Sequence, residues 1–230
     1  MTADSLAGFW RIGTPTWGPY REGMTALYGP IMDNYCRIET AGGAAKVRCE
    51  RYSDGLHETG EASLERDSLH ITFGSLLAHA VIDARRQPAG GFTGGFAFKL
   101  MAMRFAAPGA VTAARLDPWN GPDPGGEADK LTAILNGIAE GAPQAVQLRE
   151  GSERRRPEQW RRLGPVRRIA WLGRTPTTAE AYTSHPAQRK AGATAPRDDD
   201  AGNVYAVAYE SVHRICVLRP RWASGDLNCF

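Results

Sequence analysis

Four cysteines, at positions 36, 49, 216 and 229, are the tightest constraint that this 230-residue chain places on its own fold. The residues between Cys36 and Cys49 have their midpoint at Gly42-Gly43, a dipeptide that takes positive φ without strain and so suits a hairpin turn. A hairpin turning there sets Cys36 opposite Cys49 and Ile38 opposite Val47. All four side chains then share one face, because strand side chains alternate. Cys216 and Cys229 repeat the separation around Arg219-Pro220-Arg221-Trp222-Ala223-Ser224-Gly225-Asp226, a turn-rich stretch, and the shared register sets Leu218 opposite Leu227. Narrow antiparallel pairs bring sulfurs within bridging distance, so the spacing predicts two hairpin disulfides, Cys36–Cys49 and Cys216–Cys229. Of the three pairings that four cysteines allow, this is the local one.

Persistent bridges belong to oxidising compartments, which predicts a periplasmic or secreted protein. The alternative is four reduced cysteines buried as small hydrophobes. No Cys-x-x-Cys or Cys-x-x-His occurs, and the five histidines stand far from the cysteines in sequence, so neither a metal nor another cofactor is expected. Met1-Thr2-Ala3-Asp4-Ser5 lacks the basic and apolar regions of a secretory leader, so the expectation is an exported chain read after its leader is removed. No stretch approaches the roughly 18 apolar residues of a membrane span. A formal charge of +3 gives no strong pull toward nucleic acid.

With 26 glycines and 15 prolines, the chain favours short strands and turns over a helical bundle. Strand patterns fall at 9–12, 31–40, 45–52, 56–64, 69–74, 77–84, 92–101 and about 110–116. Leu69, Ile71 and Phe73 alternate with His70 and Thr72; Phe92, Gly94, Phe96, Phe98 and Leu100 alternate with Thr93, Gly95, Ala97, Lys99 and Met101. About eight strands joined by short turns favour a meander that closes on itself, since closure removes unpaired edges. Such a barrel has room for one small ligand. The opening Leu6-Ala7-Gly8-Phe9-Trp10-Arg11-Ile12 resembles the Gly-x-Trp start of lipocalin-like barrels. The resemblance implies a Trp packed at the closed end and a later Arg covering it, for which Arg104 and Arg115 are the candidates.

Residues 116–126, rich in proline and glycine, continue neither a helix nor a central strand. This sets a lipocalin-like barrel at 1–118, a linker at 119–126 and a second domain at 127–230. There, residues 131, 134, 135 and 138 form the apolar stripe of a helix ending near Gly141. A second helix is expected at 153–163, then strands at 166–172, 204–209, 212–218 and 226–230. Leu163-Gly164-Pro165-Val166-Arg167-Arg168-Ile169-Ala170-Trp171-Leu172-Gly173 with Asn203-Val204-Tyr205-Ala206-Val207-Ala208-Tyr209 is similar to the cystatin-like, or nuclear-transport-factor-like, tail modules that follow serine hydrolase domains in some bacterial proteins. The resemblance implies a helix-plus-curved-sheet fold more than an activity. The fold class is therefore mainly β with an α+β second half. A polar insertion at 174–202, carrying Asp198-Asp199-Asp200, offers little apolar surface and is expected to be flexible.

Chemistry-bearing candidates are few. Nucleophile elbows, phosphate loops and His-Glu-x-x-His are missing from the sequence. His79 and Asp83 lie four apart on one strand face, where His79 could act as a base. Phe96, Phe98, Lys99 and His70 are the candidate ligand contacts, and Glu61 is a further polar strand residue. Arg154, Arg155, Arg156, Arg161 and Arg162, continued by Arg167 and Arg168 around Trp160, form a basic cluster suited to an anionic partner or to a solvated helix surface, with no nucleic-acid motif beside it. The leading expectation is a non-catalytic exported protein that binds a small apolar ligand or a partner protein through its barrel. The alternatives are an isomerase, cyclase or lyase using a His/Asp pair, and an inhibitor or accessory subunit of a hydrolase.

Overall fold

The computed structural model describes residues 3–19, 26–50, 57–74, 77–107, 109–121, 126–140, 148–150, 153–154, 160–175, 202–218 and 227–230. A short 3-10 turn, Ala3–Leu6, leads into nine strands: β1 (Gly8–Pro19), β2 (Ala26–Ala41), β3 (Ala44–Glu50), β4 (His57–Glu65), β5 (Ser68–Gly74), β6 (Ala78–Arg86), β7 (Phe92–Leu100), β8 (Met103–Ala106) and β9 (Val111–Leu116). β1 to β6 pair in sequence, β6 pairs with β7, and β9 joins β7 to β1. The result is a closed eight-stranded antiparallel barrel, with β8 hairpinned onto the far half of β7. Closure through β9 joins the two ends of the meander, so that β1 and β7 each gain a partner there.

The first cysteine hairpin has the register that the spacing dictates: Cys36 faces Cys49, Ile38 faces Val47, and Gly42 and Gly43 both take positive φ. The Cys36–Cys49 bridge is formed and points inward. Alternation fills the interior with Trp10, Ile12, Ile38, Val47, Leu69, Ile71, Phe73, Ile82, Phe92, Phe96 and Val111. Leu6 plugs the lower end, where its carbonyl accepts the Trp10 indole N–H at 2.8 Å. Arg115 stands opposite Trp10 in the β1–β9 register, whereas Arg104 belongs to β8 and reaches Asp83 instead.

β1 is longer than the sequence pattern predicts. It passes its glycines and prolines by a register shift between Pro15 and Trp17 and runs to Pro19. A bulge absorbs the residue that breaks the ladder. β8 is also additional, and it requires Met101 at φ 50 to turn the chain.

In the second half, helix α1 (Gly126–Glu140) is followed by β10 (Leu148–Glu150), β11 (Glu153–Arg154), β12 (Arg168–Arg174), β13 (Asn203–Ala208), β14 (His213–Leu218) and β15 (Leu227–Cys229). The sheet order is β11-β10-β15-β14-β13-β12, antiparallel except for the short β10–β15 pair. The second helix expected at 153–163 is corrected at its start, where Glu153 and Arg154 pair as a strand with β10; residues 155–159 lie outside the described residues, and Trp160 and Arg161 are helical. Pairing with Arg149 and Glu150 satisfies the backbone of 153–154, which a helix start there would leave half unpaired. Cys216 faces Cys229 and Leu218 faces Leu227, and the second bridge is formed.

Each face of this sheet has its own partner. Leu131, Leu135 and Ile138 of α1 pack with Trp160, Tyr205, Val207, Cys216 and Cys229 on one side. On the other, Val204, Ala206, Ile215, Val217 and Phe230 pack against Phe9 and Tyr35, which point outward from the barrel. At Phe9 and Tyr35 the outer faces of β1 and β2 are thus apolar as well. Gly173, at φ +153, is required at this seam, since a Cβ there would run into the Tyr35 hydroxyl. Trp119 joins the seam too, edge-on to Phe9 at 5.9 Å and under the Arg168 guanidinium at 5.2 Å. Among the described residues no helix is long and apolar enough to cross a membrane.

Candidate functional site: a neutral recess in the barrel

Above the Cys36–Cys49 bridge the barrel core gives way to a partly open recess of about 20 Å³, lined by Ile12, Thr14, Asn34, Cys36, Cys49, Phe73 and Phe96. That volume suits one water or one small polar group. The lining residues come from β1, β2, β3, β5 and β7, all at inward positions of the alternation. Disulfide-bonded cysteines do not titrate, so among the described residues the lining carries no ionisable group.

Among the described residues, polarity in the recess comes from a single side-chain pair. The Asn34 amide Nδ2 donates to Thr14 Oγ1 at 2.8 Å and to the Ile12 carbonyl at 3.1 Å, with the Met32 carbonyl at 3.4 Å. Two of these acceptors are main-chain carbonyls, which settles which end of the amide is nitrogen. Its donors are used up, so Asn34 has its Oδ1 left as an acceptor. Thr14, which accepts from Asn34, keeps its own O–H to donate.

The candidates named from sequence separate. Phe96 lines the recess, while Phe98, one alternation higher, is buried with its ring stacked on Phe105 at 6.5 Å. Lys99, His70, His79, Asp83 and Glu61 occupy the outer positions of their strands, away from the inward set. His79 and Asp83 do share β6, but the oxygens of Asp83 go elsewhere: Oδ1 to His70 Nδ1 at 2.5 Å and Oδ2 to Arg104 Nη2 at 3.5 Å. Thr72 Oγ1 lies 3.1 Å from His70 Nε2. The ion pair is about half exposed on both sides. Arg161 and Arg162 are exposed, Arg154 is on β11, and Arg155, Arg156 and the 176–201 portion of the insertion lie outside the described residues. Apolar Leu77, Met101 and Met103 are exposed at the same end of the barrel as the recess, where the β6, β7 and β8 ends meet.

A second polar constellation, between barrel and sheet, was not legible from motifs. Arg37, only 3% exposed, donates from Nη1 to Glu39 and to the His213 carbonyl, both at 2.5 Å. Arg214 approaches the same Glu39 at 3.7 Å. Burial lowers the Arg37 pKa to about 10, aided by the charges of Arg214 and Arg48 and opposed by Glu39. Arg214 is lowered for the same leading reason, and burial raises Tyr209. This is a fastening between the halves: charge is held in low dielectric by one shared carboxylate and a carbonyl.

Asn34 and Thr14 were also missed. The available signal was parity: Asn34 is two residues before Cys36 and Thr14 two after Ile12, so both share the inward face. No protein-family model, no curated protein and no solved structure matches the chain.

Proposed function

We propose that this chain is a non-catalytic binding protein of an oxidising compartment, periplasmic or secreted, that takes a small, largely apolar ligand into the open end of its barrel. The observation that carries the reading is the recess itself: apolar walls, one polar pair and, among the described residues, no ionisable group in the lining. A catalytic barrel would need convergent acids or bases in that concavity. Two formed disulfides fit the compartment. Gly8 and Trp10 with Arg115 opposite support a lipocalin-like closed end. The helix packed over an antiparallel sheet supports the cystatin-like reading of the second half.

Exposed Leu77, Met101 and Met103 favour a second reading, a partner protein docked on the rim. Native mass spectrometry of protein from an oxidising host separates the two. A mass four hydrogens below the reduced chain, with a retained small molecule or uptake of an added alkyl probe, supports the ligand reading. Oxidised protein that takes up no alkyl probe overturns it and leaves the rim as the binding surface.

A further inference from the structure

We infer that the ligand enters head first and that its head is a neutral hydroxyl, so that the barrel prefers an alkyl alcohol over both a carboxylate and a headless chain of equal length. The inference rests on the barrel-ligand reading and deepens it. Thr14 has one O–H to give and Asn34 has one carbonyl Oδ1 to receive, because the Asn34 amide hydrogens are already committed to Thr14 Oγ1 and the Ile12 carbonyl. A hydroxyl is the smallest group that donates and accepts at once, and it satisfies both. The recess, about 20 Å³, has room for a group of that size. A carboxylate brings a charge to a lining that, among the described residues, holds no Lys, Arg or His. Desolvating an unpaired carboxylate is far costlier than desolvating a hydroxyl that keeps two hydrogen bonds. The apolar tail then lies toward the open end, where Leu77, Met101 and Met103 are exposed.

Octanol, octanoate and octyl chloride share a chain length and differ at the head. Titration of the oxidised full chain, followed calorimetrically, is expected to give octanol about tenfold tighter binding than octyl chloride and weaker binding still for octanoate. Thr14→Val preserves shape and removes the hydroxyl; it should bring octanol down to the level of octyl chloride while leaving octyl chloride unchanged. Asn34→Leu should act the same way; Thr14→Val also removes the acceptor of an Asn34 N–H and Asn34→Leu a bond to the Ile12 carbonyl, so the folding of both is checked by circular dichroism first. Equal binding of octanol and octyl chloride overturns the head-group inference and leaves the barrel reading standing. Tightest binding by octanoate overturns it as well. Binding of none of the three overturns the barrel reading itself.

Discussion

Arg37 of the barrel donates to the main-chain carbonyl of His213 in the second sheet across 2.5 Å, through a side chain that is 3% exposed. A barrel side chain thereby bonds to the main chain of the other sheet, and the halves share this polar fastening in addition to the Phe9–Tyr35 seam. Glu39→Gln removes the carboxylate that Arg37 and Arg214 share and should cost about 1–2 kcal/mol, because Gln still accepts one bond but no longer offsets the charge. Urea denaturation followed by tryptophan fluorescence and far-ultraviolet circular dichroism checks this. The two probes should report one coincident transition in both proteins, since the seam couples the halves.

Removing either bridge with a pair of Cys→Ala substitutions should lower stability by about 3 kcal/mol, the loop-closure value for a separation of this size. Both bridges span 13 residues, so the two losses should be alike. Thermal unfolding of the two variants tests the equality. A loss confined to one bridge would mean that the other loop is already constrained by its neighbours.

Burial and the Glu127 hydrogen bond push Tyr205 up to about 12, burial being the larger cause. An acid whose folded pKa is raised binds its proton more tightly when folded. Its contribution to stability is complete below the ordinary tyrosine value of about 10 and is lost as pH rises through about 12. Ultraviolet absorbance titration should show Tyr205 ionising late, and Glu127→Gln should move it partway down, since the burial contribution remains.

Gly173→Ala should destabilise the chain by about 1–3 kcal/mol through overpacking, because the added methyl meets the Tyr35 hydroxyl at positive φ. Tyr35→Phe in the same chain should recover part of that loss, leaving the backbone strain. A double-mutant cycle on urea midpoints measures the coupling.

Local sequence constrained the fold where a turn and an alternation agreed. Cys36, Gly42-Gly43 and Cys49 set a register by counting alone, and Leu69, Ile71 and Phe73 marked an inward face that the structure keeps. The extension of β1 past Ile12 was hidden, because a bulge lets a strand tolerate Pro15 that pattern reading treats as a stop. β8 was hidden because Met101 adopts a positive φ that Met rarely takes. At the recess, Phe96 was legible from its alternation. Asn34 and Thr14 were not, since a polar strand residue is ordinarily read as facing water. The Arg37 fastening depended on packing between segments 176 residues apart, which no local period encodes.

The barrel wall is not equally sealed all the way round. β7 meets β6 over nine residue pairs, but its other edge is divided, with Phe92, Thr93 and Gly94 against β9 and Ala97, Phe98, Lys99 and Leu100 against β8. Three pairs close the ring at that point. A closed ring opens first where the fewest main-chain bonds must part, so the barrel has a preferred place to breathe. The amide protons of Val111 and Ala113 should exchange with solvent deuterium sooner than those of Ile71 or Ile82, although all four side chains are buried.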